Sequence, residues 1–444
     1  LPARRSRRPE NGSELLGDDQ LSRQGIRRGD RQLMVDMNRN LVLNVLRTGA
    51  ASRAEVVRTT GLSPATVSLI VSELIESGLV NEVGEGKSSG GRPPLVLRLD
   101  DERNYVVGVK LMRHVISLAV TDLRAEVVYS EVVDLSPDAV RPGLVLDALC
   151  SGVKDTVRKA GVALDQVVGI GIGLAGLVDA DTGVCRYSPS FGWTDVPVAE
   201  PITERLGRPV LVDNDVNTLT VAEQWFGRGH GVDDFVVVTV GEGVGAGIVV
   251  EGRLYRGAKG AAGEVGHMRL DGEDAPCRCG ARGCLEAASS DGAVRRYLAE
   301  AVRQGEASAI PSDSTSSVTI AAVREAAEGG DEVATRALVR AGRNLGLGIA
   351  NLVNLLNPRL VILSGEGAQA GPLRLDAALA AARERAFGGL AEDAEFVVDT
   401  TDDLAWARGA ACIVLGELFS SPIHRSVDLA PIARREPRAM AGRN

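Results

Sequence analysis

Aromatic residues make up only 3% of this 444-residue chain, and cysteine and histidine are scarcer still, at six and four copies. So few rings exclude a binder that grips single-stranded nucleic acid by stacking successive bases. No apolar run approaches the roughly 20 residues that a membrane helix needs. The longest, "VVGIGIGLAGLV" (167–178), is short and glycine-rich and reads as a buried strand and turn. The stretch "LPARRSRRPE" (1–10) has no apolar core behind its arginines, so it does not read as a secretory signal. The expected setting is the cytoplasm, without membrane association, where thiols serve as metal ligands more often than as disulfides. What is plentiful is glycine, with 52 copies, against an ordinary background of 44% hydrophobic and 25% charged residues. That mixture suits an α/β protein with many tight turns, and the length allows two or three domains with ample core.

Charge is unevenly placed. Residues 1–98 carry 15 Arg/Lys against 11 Asp/Glu, a balance of +4, and the remainder carries 35 against 48, a balance of −13. A mildly basic head on an acidic body suggests a nucleic-acid contact confined to the head, the alternative being a solvated basic arm.

The head has a recognisable grammar. Residues 32–48, "QLMVDMNRNLVLNVLRT", show helical periodicity through Met37, Leu41, Val45 and Leu46. In "SRAEVVRTTG" (52–61), Ser52 as N-cap and Glu55 three residues on make a capping box, and Gly61 ends the helix. "LSPATVSLIVSELIESG" (62–78) restarts with Ser63 as N-cap and Pro64 at the first helical position, and Gly78 stops it. Its apolar stripe is Val67, Ile70, Val71, Leu74 and Ile75. Two such helices joined through glycine form a helix-turn-helix pattern. Small residues on the open face of the second, Ser63, Ala65, Thr66, Ser68 and Ser72, can enter a major groove and reach base edges. "LVNEVGEGKSSGGRPPLVLRLD" (79–100) reads as two strands around a polar tip, a wing, with Arg92 presented on "GGRPP" toward a narrow A·T-rich minor groove. The alternative is a helical hairpin for protein contact.

From about residue 103 the texture changes. "NYVVGVKLMRHVISLAVTDLRAEVVYSEVVDL" (104–135) gives three successive strand patterns, then a helix to about Lys159 and a buried strand "QVVGIGIGLAG". A related order recurs at "DDFVVVTVGEGVGAGIVVEGRLYRG" (234–257), which suggests two similar lobes with a ligand cleft between them. Residues 290–356 read as mostly helical, interrupted by "GEASAIPSDSTSS" (305–317). The expected organisation is a disordered basic arm over 1–30, a winged helix-turn-helix over 31–100, a two-lobed body over 101–421 and a loose tail over 422–444.

One stretch concentrates the scarce residues. "HMRLDGEDAPCRCGARGCLE" (267–286) holds His267, Cys277, Cys279 and Cys284, four of the chain's ten histidines and cysteines. One imidazole and three thiolates complete a tetrahedral zinc shell of the closed, structural kind, with no position left for water. The remaining Cys150, Cys185 and Cys412 are isolated and read as packing residues. Glu264 precedes His267 by three residues and Glu286 follows Cys284 by two, so a metal here would tie down two carboxylates. Upstream, "VDNDVNTLTVAE" (212–223) puts Asn214 and Asp215 at a helix start, where Asp215 taken alone reads as an N-cap before it reads as a base. Together with the two glutamates they make suitable hydrogen-bond partners for a polyol.

The segments "GIGIGLAGLVD" (169–179), "FGWTDVPV" (191–198), "LVDNDVNTLTVAE" (211–223), "GEVGH" (263–267) and "CRCGARGCLE" (277–286) resemble the ROK family of repressors and sugar kinases, from about residue 35 to 420. The resemblance implies a two-lobed, actin-like/ribonuclease-H-like sugar kinase fold behind the winged helix-turn-helix. It implies sugar contacts from Asn214, Asp215, Glu264, His267 and Glu286, with Asp215 in the place of the kinases' general base and His267 shared between zinc and sugar. Ser190 stands where many relatives have Asn. The departures from the kinase pattern decide the expected function. Family kinases open with Gly-x-Asp-x-Gly-Gly-Thr-Lys, whereas this chain reads "GVKLMRHV" (108–115), with Lys110 in place of the Asp and Met112, Arg113 and His114 over the Gly-Gly-Thr positions. In "VGEGVGAG" (240–247), Glu242 stands where kinases usually carry Thr, and a carboxylate near a triphosphate costs roughly 1–4 kcal/mol per charge pair at about 4 Å. Lys110 or Arg113 could instead pair with phosphate.

The expectation is therefore a sugar-responsive repressor of carbohydrate genes with kinase activity lost. It would bind a palindromic, A·T-containing operator as a homodimer or homotetramer and respond to a sugar or sugar phosphate. The alternatives are an ATP-dependent sugar kinase with an appended DNA-binding domain, and a regulator with a vestigial pocket that binds another protein. Four polar residues kept around one metal loop speak against the last.

Overall fold

Two serine caps set the frame of the amino-terminal part in the computed structural model, which describes residues 31–85, 95–136, 141–399 and 403–420. Ser52 accepts from the Glu55 amide while the Glu55 carboxylate accepts from the Ser52 amide, so the capping box starts helix α2 (Arg53–Thr60) after helix α1 (Arg31–Thr48) and the short strand β1 (Ala51–Ser52). Gly61, at φ 71°, closes α2 in the left-handed region. Ser63 caps α3 (Pro64–Glu76) by accepting from the Thr66 amide, and Gly78, at φ 74°, turns the chain into β2 (Val80–Glu85). Strand β3 (Leu95–Leu99) pairs antiparallel with both β1 and β2, in the order β1-β3-β2. The three helices and the β-wing are those of a winged helix-turn-helix. The wing tip with Arg92, the arm over 1–30 and the tail over 422–444 lie outside the described residues.

Within this unit Val67, Ile70, Val71 and Leu74 of α3 are buried, as their spacing predicts. The stripe expected on α1 is corrected. Of the expected positions Leu46 is buried but Met37 and Leu41 are 36% and 45% exposed, and Leu33, Asn40, Val42 and Leu43 are buried with Leu46. The helical period was read correctly, but packing against the other two helices and β3 selects a face rotated from the Met37–Leu41 line. Phe419 and Ser420 group with this unit, and the Asn44 side-chain amide donates to the Phe419 carbonyl at 2.9 Å.

Residues 100–418 form the second unit. Strands β4 (Tyr105–Leu111), β5 (Val115–Thr121) and β6 (Val127–Asp134) are an antiparallel meander. Helix α4 (Pro142–Lys159) follows, and β7 (Val167–Leu174) returns parallel to β4. A small sheet of β8 (Leu177–Asp179), β9 (Val184–Ser188) and β10 (Trp193–Pro197) precedes α5 (Ala199–Leu206), and β11 (Val210–Asn214) completes the first lobe in the order β11-β7-β4-β5-β6. Helix α6 (Asp215–Phe226) leads to the second lobe, where β12 (Phe235–Val240) and β13 (Val244–Val250) repeat the hairpin start, with the short β14 (Arg253–Leu254) on the edge. After the loop that carries His267 and the three nearby cysteines come α7 (Leu285–Ser289), α8 (Asp291–Arg303), α9 (Ile320–Glu328) and the long α10 (Glu332–Leu356). Strand β15 (Leu360–Ser364), helices α11 (Pro372–Arg385) and α12 (Leu390–Asp393), and β16 (Glu395–Val398) give the order β14-β13-β12-β15-β16, with β15 parallel to both β12 and β16. This is the two-lobed α/β architecture that the duplicated strand pattern implies.

Strands β7 and β12 are buried along their whole length, as a sheet covered on both faces requires. The glycines of "GIGIG" have a packing reason. Helix α13 (Asp403–Phe419) lies so close on the first sheet that a Cβ at Gly108 or Gly171 would sit 1.9 or 1.8 Å from the carbonyl oxygens of Ala407 and Ala410. Small residues on both surfaces let the helix and the sheet meet backbone to backbone.

Candidate ligand cleft and metal centre

The chain reaches His267 through a constrained turn. Gly263, at φ 86°, passes so near β13 that a Cβ would lie 1.7 Å from the Ala246 carbonyl oxygen, so only glycine fits before Glu264. Val265–His267 then form one 3-10 turn. Bridges between Arg269 and Cys284 and between Pro276 and Arg282 fold the following loop back, which brings the four ligand atoms of His267, Cys277, Cys279 and Cys284 within 4.8 Å of one another. The separations fit a tetrahedral site. The Cys279 and Cys284 sulfurs are 3.8 Å apart, and Cys277 Sγ is 3.6 Å from His267 Nδ1. Bonds of about 2.3 Å to sulfur and about 2.0–2.1 Å to nitrogen put tetrahedral edges at about 3.8 and 3.6 Å. With Nδ1 on the metal side, the other ring nitrogen, Nε2, lies 3.9 Å from Glu264 Oε2. Burial, followed by the neighbouring thiols and Glu286, pushes the Cys277 thiol up to about 12, and a bound cation would favour its ionised form.

Around this loop the predicted pocket residues gather. Glu286 sits in the first turn of α7, buried, accepting from the Val244 amide at 3.3 Å and facing Arg278 at 3.3 Å. Glu264 is raised above the usual carboxylate range, first by burial and further by the charges of Asp215 and Glu286, with His267 opposing. Asp215, Glu264, His267 and Glu286 thus share one electrostatic environment. The helix-start reading of Asp215 is corrected: the cap of α6 is Asn214, whose side chain accepts from the Val216 and Asn217 amides. Its Nδ2 donates to the Gly176 carbonyl at 3.0 Å, which leaves one N–H and limited acceptor capacity for a ligand. Ser190 is exposed in the turn before the stacked pair Phe191 and Trp193.

Asp215 is engaged instead by Lys110. The two form a buried ion pair, with side-chain exposures of 7% and 12%, and the Lys110 ammonium also lies 4.0 Å from the centre of the Trp406 ring. Sequence reading missed this partner, although a lysine in the apolar strand "VVGVKL" signals that a buried charge must be paired. The position opposite is tied as well. Glu242 pairs with Arg295, and Arg278 Nη2 donates to the Glu242 carbonyl at 2.9 Å. Arg256 bonds Asp213 at 2.7 Å, a further contact that spacing gave no means of finding.

On α3, Ser63, Ala65, Ser68 and Ser72 are exposed and Thr66 is half-exposed. Ser63 and Thr66 are partly spent on each other, with their hydroxyl oxygens 2.8 Å apart. Leu69, 63% exposed on the same helix, was not anticipated.

The ROK family profile matches residues 106–417. The chain is 32% identical over 396 residues to the xylose repressor of Caldicellulosiruptor bescii, covering 89% of this chain and 99% of that one. It is 31% identical over 353 residues to the DNA-binding transcriptional dual regulator NagC of Escherichia coli K12, covering 79% and 85%. Among solved structures it is similar to a ROK family transcriptional regulator, a homologue of the E. coli MLC protein, with TM-score 0.79 and 27% identity over 91% of this chain and all of that one. It is also similar to the ROK family glucokinase of Streptomyces griseus in complex with glucose and AMPPNP, with TM-score 0.62 and 30% identity over 70% of this chain and 99% of that one. This chain belongs to the ROK family.

Proposed function

We propose that the chain is a sugar-responsive transcriptional repressor that acts in the cytoplasm on carbohydrate uptake or catabolism genes. Its winged helix-turn-helix binds a palindromic, A·T-containing operator as a homodimer or homotetramer, with Ser63, Ala65, Thr66, Ser68 and Ser72 at the major groove and Arg92 in the minor groove. Asn214, Asp215, Glu264, His267 and Glu286 receive a sugar or sugar phosphate. A zinc ion on His267, Cys277, Cys279 and Cys284 holds the loop between Glu264 and Glu286. That set leaves no position for water, so the metal's part is to fix geometry. His267 would then carry its proton on Nε2, facing the pocket.

The observation that carries the reading is the pairing of Asp215 with Lys110. A kinase base must be able to accept a proton from the sugar hydroxyl, and phosphoryl transfer depends on neutralising phosphate charge. Here the base position is occupied by an ion pair, and the opposite turn presents Glu242. Kinase activity is lost in this reading, and the sugar acts by binding one conformational state better than another.

The test is selection of DNA by the metal-loaded full chain from a random pool, followed by titration of the selected sequence with xylose and N-acetylglucosamine, the sugars named in its relatives. The expected result is a palindromic site whose affinity changes at least about tenfold, or about 1.4 kcal/mol, with one sugar. Failure to select any sequence, or indifference to every sugar, would overturn it. The 30% identity to the S. griseus glucokinase favours a second reading, a sugar kinase with an appended DNA-binding domain. Steady ATP turnover with a hexose, abolished by Asp215→Asn, would establish that one.

A further inference from the structure

Helix α3 carries one side chain that the packing of the head does not use. Val67, Ile70, Val71 and Leu74 are buried and Ile75 is half-buried, whereas Leu69 is 63% exposed. Its neighbours on the open face are small. Ala65 and Thr66 lie one turn before it, Ser72 one turn after, and Ser68 beside it. Leu69 is thus an isobutyl group standing among methyls and hydroxyls. Helical side chains lean toward the amino-terminal turn, so it rises over Ala65 and Thr66, at the end that a recognition helix points toward base edges. The hydroxyls at that end are partly used: Ser63 Oγ accepts from the Thr66 amide at 3.1 Å and lies 2.8 Å from the Thr66 hydroxyl. Charge on this face suits a polyanion. Residues 62–72 include no acidic side chain, and Glu73 and Glu76 stand in the last turn of α3. On α2, the helix that crosses the phosphate backbone in a helix-turn-helix, the Arg58 side chain is 76% exposed.

We propose that Leu69 reads a thymine in each operator half-site, by seating its isobutyl group against the thymine C5 methyl in the major groove. This rests on the operator reading above. Of the groups that base pairs present in the major groove, the thymine methyl is the only apolar projection, and the others of note are hydrogen-bond donors and acceptors. A leucine pressed onto N7, O6, N4 or N6 strips water from a polar atom and returns no hydrogen bond. Against the methyl, both partners remove apolar surface from water. Leu69 therefore favours a T·A pair and disfavours a G·C pair at the same position. The small residues around it let the helix come close enough for this contact, and they leave Leu69 as the side chain that reaches furthest into the groove.

The test starts from DNA selected from a random pool by the metal-loaded full chain. In the selected palindrome, deoxyuridine replaces each thymine in turn, in both half-sites at once, which removes the methyl and keeps the base pair. Affinities are measured by fluorescence anisotropy at one fixed salt concentration for wild type, Leu69→Ala and Leu69→Met. At one thymine per half-site, wild type is expected to lose about fourfold per half-site, or about 16-fold for the pair. Leu69→Ala is expected to bind the thymine and uridine forms of that position within about twofold of each other, while Leu69→Met keeps the preference. Damage to the head weakens every operator together and does not move this ratio. Position 69 is exposed and alanine is the best helix former, so the variant keeps its helix, which circular dichroism checks. The inference is overturned if no thymine exists at which Leu69→Ala erases the effect of the methyl. It is equally overturned if Leu69→Ala leaves every methyl effect intact and instead dissociates the oligomer in sedimentation, because Leu69 then packs against a second copy. If no sequence is selected at all, the operator reading itself fails, and this inference with it.

Discussion

At the His267 end of the cleft, backbone turns and four soft ligand atoms fix the side chains, whereas at the Lys110 end the charged side chains hold one another. The first end holds its carboxylates more loosely, because Arg278, the cation that meets Glu286, is itself 60% exposed. The second end has closed on itself. Lys110 and Asp215 satisfy each other, with the Trp406 ring over the ammonium. The contrast teaches that a charged residue on a buried strand does not stand alone: a carboxylate from a distant element meets it.

Four changes would break or sharpen that comparison. The broadest effect is expected from Cys284→Ser, which removes a buried member of the His/Cys cluster. Metal content should fall, and sugar affinity should drop at least about 100-fold, or about 2.7 kcal/mol, while operator binding persists. Metal analysis and calorimetry read the two losses together. Asp215→Ala should abolish the sugar response and also strand Lys110, costing about 3–5 kcal/mol in a denaturant titration; Asp215→Asn should cost less. A third change lies away from the cleft. Burial, then the nearby Asp399, raises the Glu223 carboxyl to about 7, although the Arg228 amide opposes this. A raised carboxyl stabilises the fold fully below its unfolded value of about 4.5, and that contribution is lost as pH rises through about 7. Glu223→Gln should therefore flatten the thermal midpoint between pH 4.5 and 7 and raise stability at pH 8 by roughly 1–3 kcal/mol. A cleft whose ligand affinity is unchanged by that variant would separate its electrostatics from the rest of the body. The smallest effect is expected from Ser63→Ala, which removes the cap of α3 and costs about 1 kcal/mol, visible as weaker operator binding with an intact sugar response.

Much of this architecture could be read before any coordinates. The capping box of Ser52 and Glu55, the Ser63–Pro64 start and the Gly61 and Gly78 stops are local chemistry, and each helix begins and ends where that chemistry says. The His/Cys cluster was legible because His267, Cys277, Cys279 and Cys284 are close in sequence, so one loop can bring them together. What escaped was long-range. Lys110 and Asp215 are 105 residues apart, and only the closure of β4 onto the start of α6 makes them partners. Met37 and Leu41 followed the helical period but not the buried face, since periodicity gives a stripe and neighbours choose which side of it packs. Asn214 and Asp215 were assigned to the right helix start with the capping role given to the wrong one, a one-residue shift that only the hydrogen bonds decide.

The most direct measurement is a pair of calorimetric titrations of the metal-loaded full chain, one with xylose, glucose or N-acetylglucosamine and one with magnesium and AMPPNP. The cleft described above takes up one of the sugars in a saturable fashion and gives no saturable heat with the nucleotide, before or after sugar is added. Saturable nucleotide binding that tightens with sugar would contradict it, because the Lys110 end would then be working as a phosphate site.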